Sequence, residues 1–170
     1  PYRRIELWKD TPPGEALEAP PSPLPEKARN AYAHYMRAYR SWIPERRLDE
    51  ARQALALAVR SDSEEPVYHY MHGLLSLKAG ENRTAREAFA KARAISDFSH
   101  RTLAETLWEA RSRDLIGERR EPLALYQSVA SAPEALRSVR RAAQRGLAKA
   151  YDSKQLGSIA PDFIYADVYR

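Results

Sequence analysis

The sequence aligns with itself when it is shifted by 34 residues, and this self-similarity constrains the fold more than any other feature. The segment Leu48–Ala58 aligns with Asn82–Ala92, and the longer stretch Tyr32–Glu65 aligns with Pro66–Ser99. Periods of this length are typical of small structural units that stack on one another to bury a shared core. We therefore expect a repeat architecture instead of a fold built around one central sheet.

The aligned positions alternate between small and large apolar residues. Small side chains allow two helices to approach closely, and a large one fills the space between neighbouring units. The pairs that recur are Tyr35 with His69, Ala51 with Ala85, Leu55 with Phe89, and Ala58 with Ala92.

These positions resemble the tetratricopeptide repeat (TPR) family, with about three degenerate repeats. The clearest copy carries the family's pattern at Gly73, Gly80, Ala85, Phe89 and Ala92, and the preceding copy carries it at Tyr35, Trp42, Ala51, Leu55 and Ala58. A third copy aligns through Ala110, Gly117 and Tyr126, with an insertion of about three residues and with Pro122 at a position that is usually small. The departures are Tyr39 in place of the usual Gly, His69 and His72 in place of an aromatic residue and a Leu, and Ser63 and Asp97 in place of the final Pro.

The resemblance implies an all-α fold, a TPR-like α-α superhelix of stacked antiparallel hairpins with a C-terminal capping helix near Glu134–Tyr151. Good helix formers dominate after residue 25, and Gly and Pro residues mark the breaks. The sequence predicts helices over 26–42, 46–60, 66–79, 82–95, 99–116, 119–131 and 134–153, and a short one over 161–168.

Three regions are expected. Residues 1–25 form an extended N-terminal segment and a Pro-rich linker, because prolines recur from Thr11 to Pro25. Residues 26–153 form the TPR-like domain, and residues 154–170 form a tail. The opening segment Tyr2–Lys9 is predicted to be a strand that pairs with a sheet elsewhere. Since the first residue is also Pro1 and not Met, we expect an upstream part of the same polypeptide.

Composition disfavours several functions. The chain has 170 residues and no cysteine, so disulfides and Cys-ligated metals are excluded. No apolar run is long enough to suggest a membrane span. The net charge of +5 is spread among many carboxylates, so a nucleic-acid partner is disfavoured. No nucleophile set, phosphate loop or dinucleotide motif is present, and we expect neither an enzyme nor a bound cofactor or metal.

The resemblance to the TPR family also implies a binding surface, the concave face formed by the first helix of each hairpin. A protein or peptide partner is expected there, which makes the chain an interaction scaffold or adaptor. The candidate partner-binding residues are Met36, Arg40, Val67, Tyr70, Leu74, Leu77, Lys78, Leu107 and Arg111, with Asp114 beside them.

Alternatives remain open at this stage. The groove can instead be filled from within, by residues 1–24 or by the apolar tail Asp162–Tyr169, and the chain can be a non-catalytic accessory domain packed on the catalytic part of a larger enzyme. His69 and His72 are three residues apart, as metal ligands can be, but a structural role is favoured. A basic stripe on the seventh predicted helix is interpreted as a solvated face; it comprises Arg137, Arg140, Arg141, Arg145 and Lys149.

Overall fold

The computed structural model describes residues 25–97 and 99–157, and within them all regular structure is helical. The all-α prediction is therefore confirmed for this part of the chain. The predicted strand at Tyr2–Lys9 and the predicted helix over 161–168 lie outside the described residues. The helices are α1 Glu26–Arg37, α2 Leu48–Ser61, α3 Pro66–Lys78, α4 Asn82–Ile95, α5 Ser99–Leu115, α6 Arg120–Ser131, α7 Arg137–Ala148 and α8 Ser153–Gly157.

Proline and glycine set several of the helix boundaries. Pro66 is the first residue of α3, where a missing N–H leaves no hydrogen bond unmade. Gly80 and Gly117 follow the helices α3 and α5 with φ angles of 80° and 85°, a conformation that glycine adopts without steric cost. Arg46 lies 34 residues before Gly80 and also has a positive φ, 59°, so the same turn geometry recurs with a non-glycine residue.

The first predicted helix, 26–42, is continuous but irregular. Its last part, Ala38–Trp42, is a π-helical turn in which the Ile43 N–H donates to the Ala38 carbonyl at 2.9 Å. The π turn includes Tyr39, which stands where the next hairpin has Gly73. A tyrosine requires more room at this position than a glycine, and the widened turn coincides with that substitution.

The seventh predicted helix, 134–153, is shorter in the structure, where α7 spans Arg137–Ala148. At its start, the Arg140 guanidinium donates to the carbonyls of the preceding turn, which stabilises a non-helical conformation there. At its end, the Arg119 guanidinium donates to the Leu147 carbonyl at 3.1 Å, and Lys149 is extended. Arginine side chains, one from α7 itself and one from the turn before α6, thus bind carbonyls that a longer helix would have used itself.

Each helix from α1 to α6 packs on the next one along the chain. Phe89 of α4 is fully buried, and its ring lies 5.7 Å from that of Tyr70 on α3 and 6.1 Å from that of Trp108 on α5. The same ring lies against Gly73, where a Cβ atom would come within 2.9 Å of it. Phe89 therefore occupies the space between two adjoining helices, as the repeat pattern predicts.

An ion pair between successive hairpins also recurs. Arg52 of α2 contacts Glu81 at 2.9 Å, and Arg86 of α4 contacts Glu118 at 3.0 Å. Each arginine directly follows the small residue of its repeat, and each glutamate directly follows the positive-φ glycine of the next hairpin. The periodicity in the sequence thus corresponds to equivalent contacts in the structure.

Candidate functional site

The nine predicted partner-binding residues lie on α1 with its π turn, α3 and α5, and they differ in exposure. Arg40 is exposed, and Met36, Lys78 and Arg111 are half-buried. The other five are buried, with at most 4% of each residue exposed: Val67, Tyr70, Leu74, Leu77 and Leu107. The accessible part of the predicted surface therefore consists mainly of long and basic side chains.

A segment of the chain itself lies against α3 and α5. After α7 the backbone becomes extended, and the residues Tyr151–Leu156 contact Lys78, Trp108, Arg111 and Asp114. We call these four side chains the α3/α5 face, and we call Tyr151–Leu156 the returning segment. Tyr151 and Leu156, at the two ends of the segment, are both buried, with 8% of each residue exposed.

Arg111 contacts both aromatic side chains of this site, Trp108 and Tyr151. Its guanidinium carbon lies 4.5 Å from the centre of the Trp108 ring and 4.6 Å from the centre of the Tyr151 ring. The two rings meet edge to face, with their centres 6.2 Å apart. A planar cation in contact with two rings forms two cation–π interactions, and partial desolvation strengthens each of them.

Asp114 is a buried carboxylate that accepts hydrogen bonds from three directions. The Tyr126 hydroxyl donates to Oδ2 at 2.7 Å, and the Arg119 guanidinium donates to Oδ1 at 3.2 Å. The third donor is the backbone N–H of Tyr151, at 2.8 Å from Oδ2. The positive charge of Arg119 offsets the cost of burying the carboxylate, and Tyr126 fixes its orientation.

The returning segment is bound through its backbone at both ends. The Tyr151 N–H donates to Asp114, and the Leu156 carbonyl accepts a 2.7 Å hydrogen bond from the Lys78 ammonium. Backbone groups are common to every polypeptide, so these contacts recognise the main chain, whereas the ring contacts of Tyr151 select its side chain. The arrangement therefore has the properties of a peptide-binding site.

Among the described residues, the buried Tyr151 hydroxyl has no hydrogen-bond partner. A buried polar group without a partner costs roughly 1–3 kcal/mol. Burial also raises the pKa of Tyr151, which keeps the phenol neutral, and burial lowers the pKa of Lys78. The site thus uses the ring of Tyr151 and makes no use of its hydroxyl.

Within the described part of the chain, the face is contacted by Tyr151–Leu156, a segment that the sequence did not suggest as an occupant. Residues 1–24 and the tail Asp162–Tyr169 lie outside the described residues, whereas Tyr151–Leu156 was predicted as the end of a helix and the start of the tail. One signal was present in the sequence, because Asp152 can accept from a backbone N–H two residues on. Its Oδ1 accepts from the Lys154 N–H at 2.7 Å, at the start of α8.

The contacts and the burial of the two histidines of α3 indicate a structural role. The His69 ring nitrogen Nε2 lies 2.8 Å from the Ser63 carbonyl, and burial lowers the pKa of both His69 and His72. The described residues contain no group of three or more His, Asp or Glu side chains that could hold a metal ion. The described histidines therefore give no support to a metal site.

The predicted basic stripe of α7 divides into two parts. Arg140 is half-buried and binds the carbonyls of the α6–α7 turn, so its role is structural. The exposed members are Arg137, Arg141, Arg145 and Lys149.

Among the helices of the described residues, none has the length and apolarity needed to cross a bilayer. In comparisons with known proteins, no family model matches the chain, and no curated protein or solved structure matches it.

Proposed function

We propose that this chain is a TPR-like stack of three helical hairpins with a capping helix, and that it binds a peptide or protein segment on its concave face. It acts as a non-catalytic scaffold or adaptor and needs no cofactor. The observation that carries the proposal is the returning segment, which is held on the α3/α5 face through its backbone and one aromatic side chain. A surface that holds one peptide segment has the chemistry to hold another.

The recurrence of a large buried side chain at one position of each hairpin supports the architecture. Leu55, Phe89 and Tyr126 are buried at equivalent places in α2, α4 and α6. Phe89 packs on Gly73, and Tyr126 packs on Gly146, where added Cβ atoms would collide with the two rings. Large side chains that pack on glycines of a facing helix allow the close helix approach that a stacked hairpin array requires.

The charges and apolar contacts of the face support polypeptide as the ligand class. Lys78 supplies a donor for a carbonyl, Asp114 supplies an acceptor for an N–H, and Arg111 with Trp108 supplies an aromatic contact. In the returning segment, six residues extend from the Tyr151 N–H to the Leu156 carbonyl.

Panning a phage-displayed library of random twelve-residue peptides against the intact chain tests the proposal. The enriched peptides should bind Lys78→Ala and Arg111→Ala variants about tenfold or more weakly, a loss of about 1.4 kcal/mol. The matched controls are Lys91→Ala and Arg141→Ala, which change exposed basic residues on α4 and α7. Failure to enrich any peptide, or equal loss in the control variants, would contradict the proposal.

A second candidate function is a non-catalytic accessory domain that packs on the catalytic part of a larger enzyme. The burial of Val67, Tyr70, Leu74 and Leu77 favours it, because a face that is buried within its own chain contributes to stability instead of exchange with partners. This function predicts that Lys78→Ala and Arg111→Ala lower the unfolding temperature while no peptide depends on them. Thermal melts of the panning variants separate the two candidates.

A further inference from the structure

The returning segment also indicates which peptides the α3/α5 face selects. Its contacts are concentrated at two positions, a buried aromatic residue at Tyr151 and a buried aliphatic residue at Leu156, five residues later. Between them, Ser153, Lys154 and Gln155 are exposed. Positions that point to solvent place few limits on sequence, and the two buried positions determine specificity.

We propose that the α3/α5 face recognises segments with an aromatic residue followed five positions later by Leu or a similar aliphatic residue, and that residues 151–156 are its built-in competitor. This inference rests on the proposed function and adds the ligand chemistry and the competition to it. A partner binds by replacing the returning segment, and it uses the same hydrogen bonds to Asp114 and Lys78.

The aromatic position has a preference that the geometry defines. The ring of Tyr151 contacts Trp108 and Arg111, while its buried hydroxyl has no hydrogen-bond partner. Phenylalanine keeps both ring contacts and removes the buried polar group that costs free energy. A partner with Phe at this position is therefore bound at least as tightly as one with Tyr.

Competition follows from the covalent link between the segment and the face. A tethered ligand has an effective concentration on the order of millimolar when the linker is short. The returning segment follows α7 within a few residues, so a free peptide must exceed that effective concentration or bind more tightly than the segment does. The native segment carries tyrosine, the weaker of the two aromatic residues on this argument, which leaves it replaceable.

The test uses the intact chain and a fluorescein-labelled peptide with the sequence AYDSKQLG, the residues 150–157. A Tyr151→Ala/Leu156→Ala variant removes both buried side chains of the competitor. Fluorescence anisotropy should show saturable binding to this variant and about tenfold weaker binding to the unaltered chain. Circular dichroism checks that the variant keeps its helical content.

Three matched comparisons identify the contacts. Replacing the peptide's tyrosine with alanine should weaken binding about tenfold, and replacing it with phenylalanine should leave binding equal or tighter. Adding Arg111→Ala to the open variant should also weaken binding about tenfold, whereas adding Arg141→Ala should leave it unchanged. The proposal is overturned if the folded open variant binds no peptide, or binds the alanine and tyrosine peptides equally.

A second measurement covers the case in which the open variant does not fold. In the otherwise unaltered chain, Arg111→Ala should raise the hydrogen-exchange rate of the Tyr151 amide about tenfold or more relative to Arg141→Ala, because the ring contacts hold that amide on Asp114. An unchanged rate would contradict the inference. If panning yields face-dependent peptides without the aromatic and aliphatic pair, the proposed function stands and this inference fails; if panning yields none, both fail.

Discussion

At the scale of single residues, two glycines show how closely the helices approach. Gly73 lies against the ring of Phe89, and Gly146 lies against the ring of Tyr126. Both glycines are within helices, where glycine is less favourable than alanine by about 1 kcal/mol. The packing of the aromatic ring, and not helix propensity, therefore determines the residue at each position.

Gly73→Ala is expected to destabilise the fold although it improves helix propensity. The new Cβ would meet the Phe89 ring at 2.9 Å, and such overpacking costs about 1–3 kcal/mol, which exceeds the gain. Urea unfolding measures the loss. In a Phe89→Leu background, the same substitution should be less harmful or favourable, because the ring is gone. Equal losses in both backgrounds would contradict the packing argument.

The histidines of α3 predict a loss of stability in mild acid. Burial lowers the pKa of His69 and His72 in the folded chain, whereas the unfolded chain has the usual value of about 6.5. Below that pH the unfolded chain binds protons that the folded chain does not, so the free energy of unfolding falls as the pH is lowered. The unfolding temperature should be lower at about pH 5.5 than at about pH 7.5.

A His69→Gln/His72→Gln variant should reduce this dependence on pH. Glutamine has a polar side chain of moderate size, but it does not titrate in this range. His34→Gln is the matched control, since it removes a histidine from α1 and leaves α3 unchanged. If the double variant keeps the full slope between these pH values, the pair is not its source.

At the scale of elements, the turns that connect the two helices of successive hairpins can be compared with one another. Gly80 and Arg46 occupy equivalent positions, and both have positive φ angles. Because an L-residue with a side chain pays about 1–2 kcal/mol in this conformation, Gly80→Ala should destabilise the chain by about that amount. Arg46→Gly should stabilise it, with Arg46→Ala as the control for loss of the side chain. This expectation is contradicted if thermal melts show that Gly80→Ala and Arg46→Gly shift the unfolding temperature in the same direction.

Helix boundaries were predictable from the sequence where a local rule governs them. Pro66, Gly80 and Gly117 lie at the predicted helix ends. The restricted φ angle of proline and the free φ angle of glycine are each properties of a single residue, so the sequence shows them directly. The end of α7 was not predictable, because Arg119, from the turn between α5 and α6, binds the Leu147 carbonyl. Tertiary contacts of this kind leave no periodic trace in the sequence of the helix that they terminate.

At the scale of the whole molecule, stability should be uneven along the stack. The helices α3, α4 and α5 each pack on neighbours at both sides, whereas α1 has a following helix but no preceding one among the described residues. In a stacked array each unit is stabilised by its neighbours, so the ends open first. Hydrogen exchange should therefore be slowest in α4 and faster in α1 and α7. Uniform protection would indicate a single cooperative unit.

The candidate site was only partly predictable from the sequence. The resemblance to the TPR family pointed to Lys78, Arg111 and Asp114, because it implies a shared face on the first helix of each repeat. Spacing did not identify Trp108 as part of the same site or Tyr151 as the residue that contacts it. Both contacts depend on the path of the chain after α7. A contact between residues distant in sequence requires that path, which local patterns do not encode.

The third hairpin is lengthened inside its first helix. Helix α5 has 17 residues where α3 has 13, and the spacing from Gly80 to Gly117 exceeds the 34-residue period by three residues, which is close to one turn of 3.6. A nearly whole turn returns side chains to almost the same direction, and Arg86 consequently still reaches Glu118. A helix in this stack can therefore be lengthened by a whole turn and keep its contacts with the neighbouring helices. A two-residue insertion would instead rotate Arg111 and Asp114 through roughly half a circle, away from Tyr151.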